Sequence, residues 1–394
     1  MAVRHGYGKI AGADALVFAY DTGDTRNSYR GEPTENLVYT NSNVYTLGAS
    51  TFPIDPPVKE VFNGSTQANL SWTDHLRWYN ETIPSGTTIT ISGWYMVYHI
   101  NPTTAWQSSA RLIIYSSAGY GGTVCNPGAW NTWKYFEVTY TVPSDTTSFR
   151  LEDAGYDYYN DADKTNTTAY GCNYQLELKS HATQFVNGTR SATEGLKDLT
   201  GNTSVDLSNV SFDSDAIMTF DGTDDYMSIA SSNTITDYSQ PFTMETIFKV
   251  DTNATWDNGY RSNIFSIAGS YGGMYGLFKY NNTDVGIQLR DGDSTTYAVA
   301  TNLSKGGYYH LVGTSNGLGT VSLYLNGVLT QDNVGTLTGA PDSQGLFIGG
   351  SRAFGGAYGN HYQGEIPVAK YYNRALTAAE VKNNFNNYKS RFNL

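Results

Sequence analysis

The chain has 394 residues, which is enough for two or three domains with substantial cores. Only 15% of the residues are charged, whereas glycine (41) and tyrosine (32) are used heavily. This composition favours an all-β extracellular or surface protein over a cytosolic α/β enzyme. The net charge of −12 argues against nucleic acid as a partner, because phosphate binding needs clustered lysine and arginine.

The amino-terminal residues lack the apolar segment of a secretory signal, and no apolar run approaches membrane-spanning length. We therefore expect no membrane insertion. A β protein without an export signal would leave the cell by another secretion route, or by lysis as part of a virus particle. Residues 15–20 predict a short apolar strand, and the proline-rich residues 51–58 are typical of a linker.

Two long runs of predicted strands follow. The first extends from about residue 60 to 179, and alternation is clearest at residues 134–142, where every second side chain is apolar. The second run fills most of the chain after residue 200. It includes the alternating residues 242–250 and the dipeptide Asn326-Gly327, which predicts a hairpin turn because both residues tolerate positive φ.

The last thirty residues contain the one helix that the sequence strongly predicts. Thr377 as the N-cap and Glu380 three residues later form a capping box, with Val381 following at a staple position. Val381, Phe385 and Tyr388 recur at helical spacing, so one face is apolar. A lone amphipathic helix needs a surface to lie on, and the alternating strands predict that this surface is a β-sandwich.

Several segments resemble known families. Phe220-Asp-Gly-Thr-Asp-Asp-Tyr-Met227, Ser322-Leu-Tyr-Leu-Asn-Gly-Val328 and Tyr372-Asn-Arg-Ala-Leu-Thr-Ala-Ala-Glu380 resemble three signatures of the laminin-G-like, concanavalin A-like jelly-roll family, in the expected order. Residues 130–142, 149–151 and 174–178 are similar to a galactose-binding-like jelly roll of the carbohydrate-binding-module 4/9 kind. Residues 180–191 resemble a segment of structural proteins from tailed phages, notably phages of marine cyanobacteria, which implies a virion component.

These resemblances imply an all-β fold with two jelly-roll β-sandwich domains and a short C-terminal amphipathic helix at residues 377–389. Jelly rolls of the laminin-G kind commonly begin with a strand like residues 15–20, followed by an Asp-Leu-x-Gly segment such as Asp198-Leu-Thr-Gly201. We therefore expect the strand within residues 1–44 to join the C-terminal sandwich, residues 183–394. The galactose-binding-like jelly roll, residues 45–182, would then be an insertion, which proteins tolerate where chain ends lie close together.

No catalytic constellation is visible in the sequence. Glucanases on the concanavalin-like fold carry a Glu-x-Asp-x-Glu strand that places nucleophile and acid on one sheet face. Here the nearest stretch, beginning at Glu245, lacks the other two carboxylates. The six histidines show no His-x-x-x-His pair, and no Gly-x-Ser-x-Gly nucleophile elbow is present. We therefore expect a protein that is not an enzyme.

Metal and disulfide chemistry have limited support. Both resembled families often hold a structural calcium, and Asp221, Asp224 and Asp225 could supply its oxygen ligands, so the cofactor prediction is none or a structural calcium. The alternative is that these residues cap a polar turn, a role that aspartate suits well. Cys125 and Cys172 could pair in a disulfide, although two cysteines are not a disulfide framework.

Aromatic side chains are the remaining candidates for binding. Sugars stack on exposed aromatic faces, and loop aromatics are less often part of a core. Trp94 and Trp133 lie in predicted strands, which favours the core for them. The loop residues are the candidates for glycan contact or, equally, for subunit contact: Trp106, Trp130, Tyr120, Tyr156, Tyr158 and Tyr159.

The resulting hypothesis is a non-enzymatic virion structural protein of a tailed phage, such as a fibre, appendage or capsid-decorating subunit. Its partners would be copies of itself, in a homo-oligomer or lattice, other virion proteins, and a host surface glycan. The exposed virion surface, or otherwise the extracellular space, would be its location. The alternatives are a bacterial surface or secreted carbohydrate-binding protein and, less favoured, a glycan-degrading enzyme.

Overall fold

The computed structural model describes most of the chain after residue 10. The described ranges are 11–40, 44–46, 51–68, 74–79, 83–101, 111–144, 148–154, 166–213, 217–229, 240–254, 262–269, 274–280, 284–291, 294–317, 319–335, 343–352 and 358–394. Across these ranges, no helix combines the length and the apolar content that crossing a membrane requires.

Strands dominate the described residues, which confirms the predicted all-β fold with one C-terminal amphipathic helix. The α-helices in the described ranges are α1, Leu37–Thr40, and α2, Ala378–Phe392. In chain order, β1 to β28 are Leu16–Asp21, Thr34–Glu35, Val44–Thr46, Ser65–Ala68, Asp74–Tyr79, Thr88–His99, Arg111–Ser116, Gly119–Cys125, Lys134–Thr141, Ser148–Ala154, Thr167–Glu177, Thr189–Arg190, Val205–Asn209, Ser211–Phe212, Met218–Asp221, Tyr226–Ile229, Phe242–Val250, Ser262–Gly269, Met274–Tyr280, Asp284–Asp291, Ser294–Ala300, Tyr308–Ser315, Thr320–Leu325, Val328–Val334, Ser343–Ile348, Ser351–Arg352, Tyr358–Gly359 and Gln363–Tyr372.

The chain divides into two compact units. The first contains the described residues up to Glu32, those from Ser191 to Asp213, and those from Ile217 onward; we call it the C-terminal sandwich. The second contains the described residues from Pro33 to Arg190, and we call it the inserted sandwich. Two predicted boundaries therefore shift: residues 33–40 and 44, which the sequence grouped with the amino-terminal strand, and residues 183–190, which it grouped with the C-terminal sandwich, lie in the inserted sandwich.

The C-terminal sandwich is built from two large antiparallel sheets. One has the order β14-β15-β28-β17-β22-β23-β24, and the other has the order β13-β16-β25-β18-β19-β20-β21. Alternate side chains of both sheets meet in one large apolar core, in which the rings of Phe242 and Tyr371 stack 5.9 Å apart. The sequence alternation at 242–250 therefore reflects a central strand, β17, between β22 and β28.

Strand β1 lies in the C-terminal sandwich. It pairs antiparallel with β28, with Leu16 opposite Tyr372 and Asp21 opposite Val368. Phe18 is fully buried in the core, 6.3 Å from the ring of Phe265. Since the rest of the unit begins only at Ser191, the inserted sandwich separates β1 from the other strands of its sheet along the chain.

The inserted sandwich has a five-stranded sheet, β3-β5-β10-β7-β8, and a four-stranded sheet, β4-β11-β6-β9. Its separate apolar core takes one set of alternating side chains from β6, including Ile89, Ile91, Tyr95 and Val97. The opposite set on β6 lies on the outer face of the four-stranded sheet, and this face is part of the candidate site.

Helix α2 covers the outer face of the larger sheet in the C-terminal sandwich. Thr377 Oγ1 accepts a hydrogen bond from the Glu380 backbone N–H, and the Glu380 carboxylate accepts one from Thr377 N at 2.8 Å, which is the predicted capping box. Val381, Phe385 and Tyr388 are all buried, as their spacing predicts. The helix ends at Phe392, three residues later than the sequence indicates.

Candidate functional site

Four of the six loop aromatics predicted to contact a glycan or a second subunit lie in parts of the chain that the structure does not describe. Trp106, Tyr156, Tyr158 and Tyr159 lie outside the described residues. Two candidates remain, Trp130 and Tyr120, and their surroundings differ.

Trp130 belongs to the core of the inserted sandwich, so the prediction of a surface contact does not fit its position. Its side chain is only 8% exposed and packs 4.9 Å from the ring of His99. The loop is held against β6 because Asn131 N donates to Val97 O at 2.9 Å and Asn131 Oδ1 accepts from His99 N at 2.7 Å. A loop residue can therefore be buried when its neighbours hydrogen-bond to a strand, and a buried ring has no face for a sugar.

Tyr120 is exposed, but it lies in a strand and not in the loop that the sequence predicts. It lies on β8 at the edge of the five-stranded sheet and is 56% exposed. Its hydroxyl hydrogen-bonds to Thr123 Oγ1 at 3.0 Å, so the ring is fixed along its own strand. A group of partly exposed aromatic residues in contact with one another lies elsewhere, on the outer face of the four-stranded sheet.

That outer face carries an aromatic surface, defined here as Trp94, Tyr98, Trp133, Tyr135 and Tyr170. Trp94 on β6 is directly opposite Tyr135 on β9, and their ring centroids are 5.5 Å apart in an edge-to-face arrangement. Tyr98 and Tyr170 approach to 6.4 Å. Tyr135 is 42% exposed and the others are half-buried, so the rings offer apolar area to solvent while their orientations are fixed.

The proline-rich residues 51–58 pack along this surface. Phe52 lies 5.3 Å from the ring of Trp133 and 5.7 Å from that of Tyr170. The indole N–H of Trp133 donates to the carbonyl of Ile54 at 2.9 Å. The stretch that resembles a linker in the sequence is thus part of the sandwich, and it fixes one end of the aromatic surface.

Polar groups adjoin the other end. Ser92 on β6 is opposite Glu137 on β9, one pleat beyond the Trp94–Tyr135 pair on the same face. Glu137 is exposed, whereas Ser92 is buried. Burial, reinforced by the Glu137 carboxylate, raises the pKa of Tyr135, so its hydroxyl remains protonated at neutral pH. The surface therefore combines ring faces with hydroxyl and carboxylate groups.

The sequence reasoning missed this surface because it assigned Trp94 and Trp133 to the core. A signal was present in β6, where both alternating sets are apolar or aromatic from Trp94 onward. One face of an antiparallel sheet is usually solvated and polar, so aromatic residues on both faces of a strand indicate that the outer face contacts something. Part of that contact is Phe52, which only the tertiary structure reveals.

Asp221, Asp224 and Asp225 come together, with carboxylate oxygens within 4.8 Å of one another. Both carboxylate oxygens of the buried Asp225 already accept hydrogen bonds from the protein. Its Oδ1 accepts from Ser211 N at 2.9 Å and from Ser211 Oγ at 2.8 Å, and its Oδ2 accepts from Asp221 N at 2.6 Å. Asp221 Oδ1 accepts from Thr223 N at 2.7 Å. Because these bonds hold a turn between β15 and β16, the residues fit the turn-capping alternative better than a calcium site.

Cys125 and Cys172 are both buried and neither is in a disulfide. Cys125 ends β8 in the five-stranded sheet, whereas Cys172 lies on β11 in the four-stranded sheet. Burial raises the pKa of Cys125 to about 11 and that of Cys172 to about 12. Thiols with such values are poor nucleophiles at neutral pH.

A Ser–His–Asp chain lies inside the inserted sandwich. Ser65 Oγ is 2.5 Å from His75 Nδ1, and His75 Nε2 is 2.7 Å from Asp153 Oδ2. Such a chain can activate a serine nucleophile only where a substrate can reach it. Here all three side chains are at most 1% exposed.

The surroundings of Ser65 are also filled. The Tyr174 hydroxyl lies 3.1 Å from Ser65 Oγ and 3.0 Å from His75 Nδ1, and Tyr95 donates to Asp153 Oδ1 at 2.5 Å. Tyr174 fits only because residue 171 is glycine, since a Cβ there would lie 1.6 Å from its hydroxyl. The chain is therefore a packed hydrogen-bond network that joins the two sheets of the inserted sandwich.

Glu245, which begins the stretch nearest to the glucanase pattern, is similarly enclosed. It lies on β17 beneath α2, where its carboxylate binds Lys370 Nζ at 3.1 Å and accepts from Asn384 Nδ2 at 2.9 Å. Both charged side chains are at most 3% exposed. A carboxylate covered by a helix cannot reach a glycosidic bond.

The family comparison agrees with the architecture of the C-terminal sandwich. The family model described as the concanavalin A-like lectin/glucanases superfamily matches residues 221–382. These residues have the concanavalin A-like lectin/glucanase fold. No curated protein matches the sequence.

Solved structures match about half of the chain. The binding domain of botulinum neurotoxin serotype D is 16% identical with a TM-score of 0.40, and the match covers 49% of each chain. The binding domain of Paraclostridial Mosquitocidal Protein 1 is 18% identical with a TM-score of 0.38, again over 49% of each. Trypanosoma rangeli sialidase in complex with the inhibitor DANA is 15% identical with a TM-score of 0.38, over 50% of this chain and 31% of that one.

Proposed function

We propose that this chain is a non-enzymatic virion structural protein that adheres to host glycans through the aromatic surface of its inserted sandwich. The observation that carries the proposal is the Trp94–Tyr135 pair, two ordered rings at the outer face of an antiparallel sheet. In this reading the inserted sandwich is a carbohydrate-binding module of the 4/9-like kind, and the C-terminal sandwich with its lectin-like fold is the scaffold that carries it.

The surface has the properties that saccharide recognition needs. The apolar faces of sugar rings stack on aromatic side chains, and nearby polar groups select the orientation through hydrogen bonds. Trp94 and Tyr135 supply the rings, while the Glu137 carboxylate, which is hydrogen-bonded to the Tyr135 hydroxyl, supplies a polar acceptor beside them. Phe52 and Trp133 already contact each other, so the side chains at that end of the aromatic surface need not rearrange when a ligand binds.

The proposed non-enzymatic role is supported by what encloses the two catalytic-looking groups among the described residues. The Ser65–His75–Asp153 network is filled by tyrosines, and Glu245 lies beneath helix α2. Neither arrangement leaves space for a substrate.

The virion assignment rests on the resemblance of residues 180–191 to tailed-phage structural proteins. Adhesion through a shallow site favours repetition, because a millimolar site contributes only about −4 kcal/mol. Linking several copies raises apparent affinity by roughly 10²–10⁴ without new contacts. We therefore propose a homo-oligomer or lattice-bound array on the exposed virion surface. The alternative, favoured by the same aromatic surface, is a bacterial surface or secreted carbohydrate-binding protein.

The glycan proposal is tested by affinity electrophoresis of the full chain in gels containing bacterial and algal polysaccharides. Wild-type protein should be retarded, and Trp94→Ala and Tyr135→Ala should each weaken binding about tenfold, the loss expected for one stacking ring. Tyr297→Ala is the matched control, because Tyr297 is also an exposed strand tyrosine but lies in the C-terminal sandwich. Unchanged retardation of both aromatic-surface variants would reject the proposal.

Sedimentation of the same proteins separates glycan contact from subunit contact. If Trp94→Ala and Tyr135→Ala dissociate an oligomer while polysaccharide binding persists, the aromatic surface is a subunit interface. Mass spectrometry of purified virus particles tests the virion assignment. Absence of the chain from particles, together with secretion of the monomer, would favour the bacterial alternative.

A further inference from the structure

A candidate binding site lies on the C-terminal sandwich, at the outer face of its larger sheet. It is a depression of about 280 Å³ between the ends of β15, β17 and β28. Its lining residues are Thr219, Phe220, Lys249, Asp251, Thr252, Gly306, Gly364 and Glu365. The aromatic surface belongs to the inserted sandwich, so this depression is not part of it.

The depression is fixed by an ion pair and an aromatic ring. Lys249 Nζ lies 2.7 Å from Glu365 Oε1, with the two side chains 30% and 27% exposed, and 5.4 Å from the ring centroid of Tyr308. The Tyr308 hydroxyl donates to the other oxygen of Glu365. One carboxylate thus holds both the ammonium and the phenol, so these groups are oriented without a ligand.

Two glycines keep the space open. Gly364 has a φ of +146°, and a Cβ there would lie 2.0 Å from Lys249 O, so β28 and β17 approach more closely than a side chain permits. Gly306 has a φ of +83°, and a Cβ there would lie 2.9 Å from Thr252 Cγ2. Because neither glycine has a side chain, the bottom of the depression is unfilled and polar groups surround it.

The charges select the class of ligand. A divalent cation at Glu365 would be repelled by the adjacent ammonium of Lys249, and an anion would meet the carboxylates of Asp251 and Glu365. A neutral polyhydroxylated molecule avoids both penalties. Each of its hydroxyls can donate to a carboxylate and accept from an ammonium or a threonine hydroxyl.

We propose that this depression binds a single neutral sugar residue, with adjacent hydroxyls bridging Lys249 and Asp251. Lys249 retains donors beyond the one that it gives to Glu365. Asp251 is half-buried, and its Oδ1 accepts from Asn253 N at 2.6 Å, which fixes the direction of the carboxylate. Thr219 and Thr252, which also line the depression, bring further hydroxyls. This site does not depend on the aromatic surface, so either proposal can fail alone.

The test is saturation-transfer difference NMR on the full chain with methyl glycosides of neutral hexoses and N-acetylhexosamines at about 20 mM, suited to millimolar affinity. It is run in a Trp94→Ala/Tyr135→Ala background, which removes the ring pair that carries the glycan proposal for the aromatic surface. At least one sugar should give a signal, and Asp251→Asn and Lys249→Met should each reduce it about tenfold, as for loss of a charged hydrogen bond. Asp332→Asn, an exposed carboxylate on β24, is the matched control and should leave the signal unchanged.

Three results would overturn the proposal. The first is the absence of signal from every sugar in the aromatic-surface background. The second is a signal that Asp251→Asn and Lys249→Met leave intact. The third is binding of inorganic phosphate or calcium that both variants abolish while no sugar binds. Circular dichroism of each variant shows that the fold is retained.

Discussion

Lys370 Nζ lies 3.1 Å from Glu245 Oε1, with both charges buried beneath helix α2. The same carboxylate accepts from Tyr372 Oη at 2.8 Å, lies 3.2 Å from His310 Nε2, and accepts from Asn384 of the helix at 2.9 Å. Burial alone would raise the pKa of Glu245, but Lys370 and these hydrogen bonds outweigh it and hold that pKa well below its usual range. The network therefore joins three strands to the helix through one ionised group.

Removing the cation from this network should be strongly destabilising. Lys370→Met keeps the length of the side chain but leaves the Glu245 carboxylate buried without its partner, which costs about 3–5 kcal/mol. Urea denaturation at neutral pH measures the loss. The double variant Glu245→Gln/Lys370→Met has no unpaired charge and should be more stable than Lys370→Met alone, and a double variant that is less stable would contradict this account.

The pH dependence should follow from the same group. Because the folded state lowers the pKa of Glu245, its contribution to stability is present above the unfolded pKa of about 4.3 and is lost as the pH falls further. In Lys370→Met the unpaired carboxylate favours protonation, so the deficit relative to wild type should shrink between neutral pH and about pH 4.5. Denaturation curves at the two pH values check this, and a deficit that grows on acidification would be the wrong sign.

The capping box of α2 should contribute a smaller, separable amount. Thr377→Ala removes the side-chain acceptor for Glu380 N and should lower stability by about 1 kcal/mol. Ser390→Ala, at an exposed position of the same helix, is the control and should change stability by less than about 0.5 kcal/mol. Thermal and urea unfolding measure the loss of stability in both variants. Equal losses would show that the cap does not stabilise the helix.

The Ser65–His75–Asp153 network should behave as structure and not as a hydrolase site. His75→Ala leaves the buried Asp153 carboxylate without its imidazole partner and should destabilise the protein by about 3 kcal/mol. Native wild-type protein should resist a fluorophosphonate probe, because Ser65 is fully buried. Mass-spectrometric detection of the probe on Ser65 in folded protein would show that the network is reachable and would reopen the enzymatic alternative.

The two buried thiols should be inert in the folded protein. With pKa values raised to about 11 and 12 by burial, Cys125 and Cys172 carry almost no thiolate at about pH 8. Ellman's reagent should therefore react slowly with native protein and titrate two thiols after unfolding in guanidinium chloride. A reductant should leave the melting temperature unchanged, and a reductant-dependent melting temperature would instead indicate the disulfide that the sequence allows.

Calcium should add little stability. Asp225 already accepts hydrogen bonds from Ser211 and Asp221, so the turn forms without an ion. An ion bound at 100 times its dissociation constant would stabilise the fold by about 2.7 kcal/mol, which is easily measured. We expect the melting temperature in about 1 mM calcium to equal that in EDTA. A calcium-dependent increase that Asp224→Asn abolishes would restore the metal assignment.

The elements that the sequence predicted well are those specified by local chemistry. The capping box depends on Thr377 and Glu380 only three residues apart, and the Asn326-Gly327 turn depends on backbone angles that both residues adopt, with φ values of +51° and +72°. Period-two alternation identified the strands for the same reason, since neighbouring side chains on a strand point to opposite faces.

Candidate contact residues were harder to predict because burial depends on distant parts of the chain. Trp130 is in a loop yet buried, since Asn131 hydrogen-bonds to β6 more than thirty residues earlier in the chain. Trp94 is in a strand yet only half-buried, since its face of the sheet is the outer one. The local sequence pattern predicts secondary structure, but it does not predict which face of a sheet another part of the protein will cover.

The sequence by itself therefore determined an all-β chain with a capped C-terminal helix, because caps, turns and alternation depend on residues close together in the chain. Only the tertiary structure decided which groups are accessible. It buried Ser65, His75, Asp153 and Glu245, brought Phe52 against Trp133, and left Trp94 and Tyr135 at the surface. The physical reason is that packing unites residues from strands far apart in sequence, and accessibility, on which binding and catalysis both depend, is a property of that packing.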